Sequence, residues 1–254
     1  MATRTKIASE VARRLIREAG ERGLQPGDHL AAEHELIDRL HVARGSVREA
    51  LRLLEAMGAV ELRRGAGGGA VLARPKPEHL ASSLAMMLHW SGGTLGTVLE
   101  TRRVIEPTMA ALAAQRRDDT HVAELNRLIK VLRASVKDSD QFHVANRHFH
   151  DVVAQASGNV LLAALIPSLR WMSAAVGWEL PLKVRKRVAE DKASIAAAIE
   201  ARDSWSASER MRRMTSAVEE FERTAPDMLA QRVDWPAVDE LLEERPIETR
   251  EIVA

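Results

Sequence analysis

Apolar residues recur three and four apart along most of this chain, and that spacing predicts helices. Ile7, Val11, Leu15 and Ala19 give a helix over 7–22, stopped by Gly23 and Pro26-Gly27. Leu36, Ile37 and Leu40 give a short helix over 33–40. Val47, Leu51 and Leu54 give a third over 44–57, ended by Gly58. The period then changes. Val60-Glu61-Leu62 and Ala70-Val71-Leu72 flank the run Gly65 to Gly69, which is the pattern of a β-hairpin. Helical spacing returns after residue 78, with segments at 79–90, 95–116, 120–136, 140–156, 160–179, 182–201 and 204–224. Turn signals separate them at Gly92-Gly93, Asp118-Asp119, Asp138-Ser139, Gly158-Asn159, Pro181 and Asp203, and Pro167 is a kink signal inside the fifth. The fold class is mainly α. No segment alternates like a strand of a parallel sheet, which argues against a Rossmann fold. The stretch Gly65-Ala66-Gly67-Gly68-Gly69-Ala70 lies between hairpin strands and opens no helix, so it is not read as a dinucleotide loop.

Composition changes the picture through its distribution. The net charge of the 254 residues is +1. Residues 1–77 hold 14 Lys+Arg against 10 Asp+Glu, and the remainder holds 23 against 26. The N-terminal part has 9 of the 14 glycines, while every Trp and Phe lies beyond it. Arg74-Pro75-Lys76-Pro77 marks the join. The expected organisation is a first domain over 1–74, a linker over 75–78, an all-helical domain over 79–226 and a tail over 227–254. A short amphipathic helix is expected in the tail around Asp234 to Leu242, with no readable docking site.

Several classes drop out. With no cysteine there is no disulfide scaffold, thiolate zinc site or Cys nucleophile. No apolar stretch follows Met1 to Lys6 as a signal peptide would require, and runs such as Val160 to Ile166 are too short to span a bilayer. A soluble cytoplasmic protein with no membrane partner is expected. No Ser-His-Asp order, paired-carboxylate motif, metalloprotease helix or phosphate loop is present, so an enzyme is not expected.

Two short helices joined by a tight turn suit a helix-turn-helix. On the second of them Arg44, Arg48 and Arg52 recur every four residues beside the apolar stripe. A basic face alone is often just solvated. Here it is joined by Arg63-Arg64 at the hairpin, and guanidinium groups match guanine edges and phosphates. The segments Gly23-Leu24-Gln25-Pro26-Gly27-Asp28-His29-Leu30, Glu33-His34-Glu35-Leu36 and Val42 to Gly58, with the wing Arg63 to Gly69, resemble the GntR-type winged helix. The resemblance implies that Arg44, Gly45, Ser46 and Arg48 lie at a DNA groove, with His34 at the neighbouring backbone and Arg63, Arg64 and Gly67 in the wing. The family usually has Ser or Thr where Ala32 and Ala43 stand, each an expected helix N-cap. Alanine lacks the capping oxygen, at a cost of about 1 kcal/mol per site.

In the helical domain, polar residues interrupt apolar seams. Arg102 shares a face with Val98, Ile105, Met109 and Leu112. Asn146 and His150 share one with Phe142, Phe149 and Val153, and Lys192 shares one with Val188, Ile195 and Ile199. A fourth seam, with Met211, Met214, Val218 and Phe221, is apolar throughout. A charge facing a core needs a partner or a wet cavity, so Arg102 and Lys192 either form internal ion pairs or line a ligand pocket. Trp171 and Trp178, seven apart, read as core or dimer contacts or, alternatively, as walls of an apolar ligand pocket.

Arg102-Arg103-Val104-Ile105-Glu106, Asn146-Arg147-His148-Phe149-His150 and Ser157-Gly158-Asn159 resemble the FadR-subfamily effector domain, of FCD type. Many such domains hold a divalent metal with an Asp and three His. The resemblance puts Asn146, His150, Lys192 and Met214 at those positions, so one ligand of the four survives and no metal or other cofactor is expected. It then implies an effector site at Arg102, Asn146, His150, Lys192 and Met214. There Lys192 supplies the positive charge for a small organic acid or acyl thioester, with Arg102 as a second anchor. The expected partners are that carboxylate-bearing effector, a pseudo-palindromic double-stranded DNA operator and a second copy of the chain. Repression is the commoner direction in such relatives.

Overall fold

The computed structural model describes residues 4–63, 69–175, 180–223 and 226–244. The chain folds as two units, Met1–His79 and Leu80–Ala254.

The first unit runs α1 (Arg4–Glu21), α2 (Glu33–Leu40), α3 (Arg44–Ala56), β1 (Val60–Arg63) and β2 (Gly69–Leu72). The two strands pair antiparallel, with Val60 opposite Leu72 and Arg63 opposite Gly69. Residues 27–30 run along the free edge of β2, where Gly27 N donates to Leu72 O at 2.8 Å and Leu30 N to Ala70 O at 2.9 Å. Leu15, Leu36, Val47, Ala50, Leu51, Leu54, Val60 and Ala70 form the core. Their helical and alternating spacings are what direct each element inward. His41 turns left-handed (φ 52°) after α2, and its N–H closes on Ile37 O. Three residues then separate α2 from α3. Gly58 turns left-handed after α3, and a Cβ there would collide with the His79 imidazole.

Ala32 and Ala43 are the N-caps of α2 and α3, both extended and neither making a side-chain cap bond. Glu35 partly compensates at α2 by accepting from Ala32 N at 3.0 Å. Nothing comparable is seen at α3. Ala43→Ser is therefore expected to stabilise the start of α3 by about 1 kcal/mol, which slows amide exchange in its first turn about five-fold. Unchanged exchange there would contradict the expectation.

α4 (Pro77–Ser91) begins at the end of the first unit and continues into the second, which also contains α5 (Leu95–Arg116), α6 (Asp119–Ala134), α7 (Ser139–Ala156), α8 (Val160–Ala175), α9 (Leu182–Glu200), α10 (Ser204–Arg223), α11 (Pro226–Leu229) and α12 (Trp235–Glu244). The turn signals fall at helix ends. Asp118 and Asp138 accept from the backbone N–H groups of His121 and Gln141, at 2.9 and 3.0 Å. Gly158 is left-handed (φ 62°), and Asn159 Oδ1 caps α8 by accepting from Leu161 N at 3.0 Å. α4 starts earlier than its apolar spacing suggests, because Pro77 suits a first helical turn and does not block one. α8 continues through Pro167.

The main core joins α5, α6, α7, α9 and α10 through residues such as Met109, Leu128, Phe142, Phe149, Ile195, Ile199, Met211 and Met214. The side chains of Val218 and Phe221, and all of Trp178, lie outside what is described. The short helix expected in the tail is present as α12, and its docking site is now visible. Val233 N donates to Gly93 O at 3.0 Å, and Leu95 N to Gln231 O at 2.9 Å. Val233 and Val238 are buried with Ala85, Val98, Leu169 and Met172. Trp235 Nε1 donates to Ser82 Oγ at 3.0 Å, and Ser82 Oγ donates to Asp239 at 2.7 Å.

Candidate functional site

The first unit concentrates charge on one face of α3. Val47, Leu51 and Leu54 are buried, while Arg44, Gly45, Arg48, Glu49 and Arg52 line an open groove of about 500 Å³. The side chains of Arg44 and Arg48 are 69% and 54% exposed. Both donate through Nε to one oxygen, Glu33 Oε1, at 2.9 and 2.8 Å. Partial burial of Glu33 opposes its ionisation, but the two guanidiniums outweigh it and hold the carboxyl below its usual range. A guanidinium anchored through Nε keeps its Nη donors for an acceptor in the groove. His34 is exposed on the adjoining turn of α2, and Arg63 is exposed at the end of β1, 3.5 Å from Glu61. Ser46 is buried, only 5% exposed. Arg64 and Gly67 lie outside the described residues.

The second unit holds a cavity of about 350 Å³. α5 contributes Leu99 and Arg102, and α7 contributes Ser139, His143, Asn146, Arg147 and His150. α8 adds Arg170, Trp171 and Ala174, and the wall is completed by Leu180 and by Leu241 of α12. Arg102 Nε donates to Glu106 Oε1 at 2.7 Å, and His150 Nδ1 lies 3.3 Å from Glu106 Oε2. Burial alone would raise the Glu106 carboxyl, but Arg102 and His150 beside it hold it far below the usual range. Burial dominates at His150 and pushes the imidazole down to about 3, so it is neutral at ordinary pH. Arg170 Nη2 donates to Asp151 at 2.7 Å. Burial pulls Arg170 down to about 10, which leaves it charged at neutral pH.

The structure thus brings Arg102, Asn146 and His150 together around one cavity. Lys192 and Met214 are not part of it. Lys192 is fully buried behind α7, where its Nζ donates to Asn146 O at 3.0 Å and sits 4.4 Å from the centre of the Phe149 ring. Burial pulls its ammonium well below the usual lysine value. Met214 packs in the main core.

Comparison with known proteins places both units. Residues 7–68 match the family described as bacterial regulatory proteins, gntR family, and residues 97–217 match the FCD domain. The HTH-type transcriptional repressor NanR of Cronobacter sakazakii is 30% identical over 177 residues, covering 68% of this chain and 67% of that protein. This chain belongs to the GntR family. The HTH-type transcriptional regulator YcbG of Bacillus subtilis is 28% identical over 205 residues, covering 80% of this chain and 84% of that one. A solved structure of Streptococcus agalactiae GntR superposes with a TM-score of 0.68 at 25% identity, over 84% of this chain and 99% of that one. The protein is a DNA-binding transcriptional regulator with an FCD effector domain, and it is not an enzyme. No described helix is long and apolar enough to cross a membrane.

As a GntR-family regulator of FCD type, the chain raises the question of a metal. The donor set does not fit one. Of the four positions, Asn146 is neutral, Lys192 Nζ is spent on the Asn146 carbonyl, Met214 is a core residue and His150 faces Glu106. Among the described residues no group of three or more His, Asp or Glu side chains is placed to hold an ion.

Burial of His150 sets a pH dependence. An imidazole with a lower pKa in the folded state takes its proton more readily in the unfolded chain. Stability is therefore full above the ordinary value of 6.5 and is lost as pH falls from there toward about 3. The slope approaches about 1.4 kcal/mol per pH unit for one such group. His148, also pushed down mainly by burial, adds with the same sign. All five tryptophans follow the linker, so urea unfolding followed by their fluorescence reports on the helical domain alone. The parent is expected to lose stability between pH 6.5 and 5, and His150→Asn to flatten that loss. An unchanged slope in the variant would contradict this.

Sequence reasoning missed Glu106, His143, Arg147 and Arg170 as parts of the site. Glu106 stands four residues after Arg102 and so shares its helix face. Arg170 is the one ionisable residue between Val160 and Ala175. Both signals were available in the sequence.

Proposed function

We propose that this regulator binds a pseudo-palindromic operator as a homodimer and that a small organic acid in the helical-domain cavity modulates that binding. Arg44 and Arg48 read base edges or phosphates in the major groove, with Gly45 beside them, His34 and the backbone of Ser46 at the phosphates, and Arg63, Arg64 and Gly67 in the wing. The observation that carries this reading is the pair of exposed guanidiniums on α3, oriented by a single carboxylate oxygen. Exposed apolar side chains on the helical domain, including Trp90, Val104 and Leu161, supply surface for a second copy. Repression is the proposed direction, since relatives such as NanR are repressors by name. The proposed location is the cytoplasm.

Arg102, Asn146 and His150 are the proposed effector contacts. Lys192 and Met214 support the wall from behind, through the Asn146 carbonyl and the core. A volume of about 350 Å³ suits a small organic acid better than a coenzyme A thioester with its long arm and nucleotide. The alternative is a constitutive DNA binder with no effector. It accounts for the Arg102–Glu106 pair, but it leaves the cavity beside that pair without a purpose.

Footprinting on a duplex selected from a random library tests the proposal. Two protected half-sites about one helical turn apart, or a multiple of it, are expected. A single half-site bound by a monomer would overturn the dimer. Glu33→Gln removes the negative charge at the groove and loosens both arginines. It is expected to tighten binding to random DNA and to reduce the operator-to-random affinity ratio several-fold. An unchanged ratio would show that Glu33 does not position them.

A further inference from the structure

The segment Val160 to Ala175 is apolar apart from two serine hydroxyls, one indole N–H and one charge. That charge, Arg170, is 4% exposed and lies on the cavity wall. Its Nη2 is fixed by Asp151, while Nε and Nη1 meet no acceptor among the described residues. The next residue, Trp171, is also 4% exposed and lines the cavity, and its Nε1–H has no acceptor among them either. Buried donors are nearly always paired, and a charged one most of all. Among these lining atoms the obligate donors, two on Arg170 and one on Trp171, outnumber the obligate acceptor Asn146 Oδ1; Ser139 Oγ, also without a partner among the described residues, can donate or accept, and Asp140 stands exposed at the rim. A ligand that completes this wall brings oxygens that accept. Leu99, Ala174, Leu180 and Leu241 give the same cavity an apolar side. Leu241 comes from α12, beyond the stretch that matches the FCD domain, which ends at residue 217.

We infer that Arg170 and Trp171 are effector-binding residues and that the ligand is a monocarboxylic acid with a compact apolar body. The carboxylate accepts from the Arg170 guanidinium and the Trp171 N–H, and the apolar body lies against Leu99, Leu180 and Leu241. Asp151 is a positioning residue, holding the guanidinium by Nη2. This inference rests on the reading of the cavity as the effector site. It moves the main positive charge from Lys192, which is sealed behind α7, to Arg170.

Calorimetry on the full-length protein with benzoate and hexanoate, against the neutral benzamide and hexanamide, tests it. At least one acid is expected to bind, and its amide is not. Arg170→Lys keeps a charge opposite Asp151 but loses the guanidinium, and is expected to weaken the acid about ten-fold or more. Trp171→Phe keeps the packing and loses only the donor, and is expected to weaken it several-fold. Far-UV circular dichroism matching the parent confirms that both variants are folded. Acid binding unchanged in both variants would overturn the assignment of Arg170 and Trp171. Amides binding as tightly as acids, or neither acid binding the parent, would overturn the ligand class. An acid that binds through Arg170 yet leaves operator affinity unchanged would overturn the proposed function and leave this site standing.

Discussion

Arg44→Ala is expected to weaken operator binding by about 5- to 150-fold, since a good bidentate contact to a base is worth about 1–3 kcal/mol. Arg48→Ala should do the same, and the double variant should reduce binding to the level seen with random DNA. The two effects are not expected to add, because both guanidiniums share Glu33 Oε1 and each loss lets the other arginine shift. Titration of a labelled operator duplex by fluorescence anisotropy measures this, and the parent's affinity should fall steeply with salt. An Arg44→Ala variant that binds as tightly as the parent would show that α3 does not enter the groove with this face.

The largest expected loss of stability is at Glu106. Its carboxylate is fully buried and balances Arg102, with His150 against its second oxygen. Removing one member of a buried pair strands the other, at a cost of roughly 3–5 kcal/mol. Glu106→Gln is expected to fall at the lower end of that range, because the amide still accepts one hydrogen bond from Arg102. Replacing both partners, as in Arg102→Met/Glu106→Gln, should cost less than the sum of the single changes. Urea unfolding read by tryptophan fluorescence gives these values for the helical domain. A Glu106→Gln variant within about 0.5 kcal/mol of the parent, the range of an ordinary surface change, would contradict the role given to the buried network.

The order of elements was legible because local rules and the fold agree. Ile7, Val11 and Leu15 point inward as their spacing requires, and Asp118, Asp138 and Asn159 cap the helices that their turn signals announce. The groove-facing arginines were legible too, since Arg44, Arg48 and Arg52 are set by one helix. The cavity was harder to read. Periodicity shows that Arg102, His150 and Lys192 each interrupt an apolar seam. It does not show which side of a neighbouring helix each side chain reaches. Lys192 ends behind α7 on a backbone carbonyl, while Arg170, the single charge of an otherwise largely apolar helix, ends on the cavity wall. The docking of α12 was likewise beyond local rules. It depends on Gly93, Ser82 and Val98 more than a hundred residues away.

The central proposal is that an acid in the helical domain governs the grip of α3 on DNA. The most direct measurement is the operator dissociation constant of the full-length parent with and without a saturating acid that binds the cavity. Coupling between two such sites is typically about 1–3 kcal/mol, so a change of roughly 5- to 150-fold is predicted, absent in a variant that no longer binds the acid. An operator affinity that is the same with and without bound acid would contradict it.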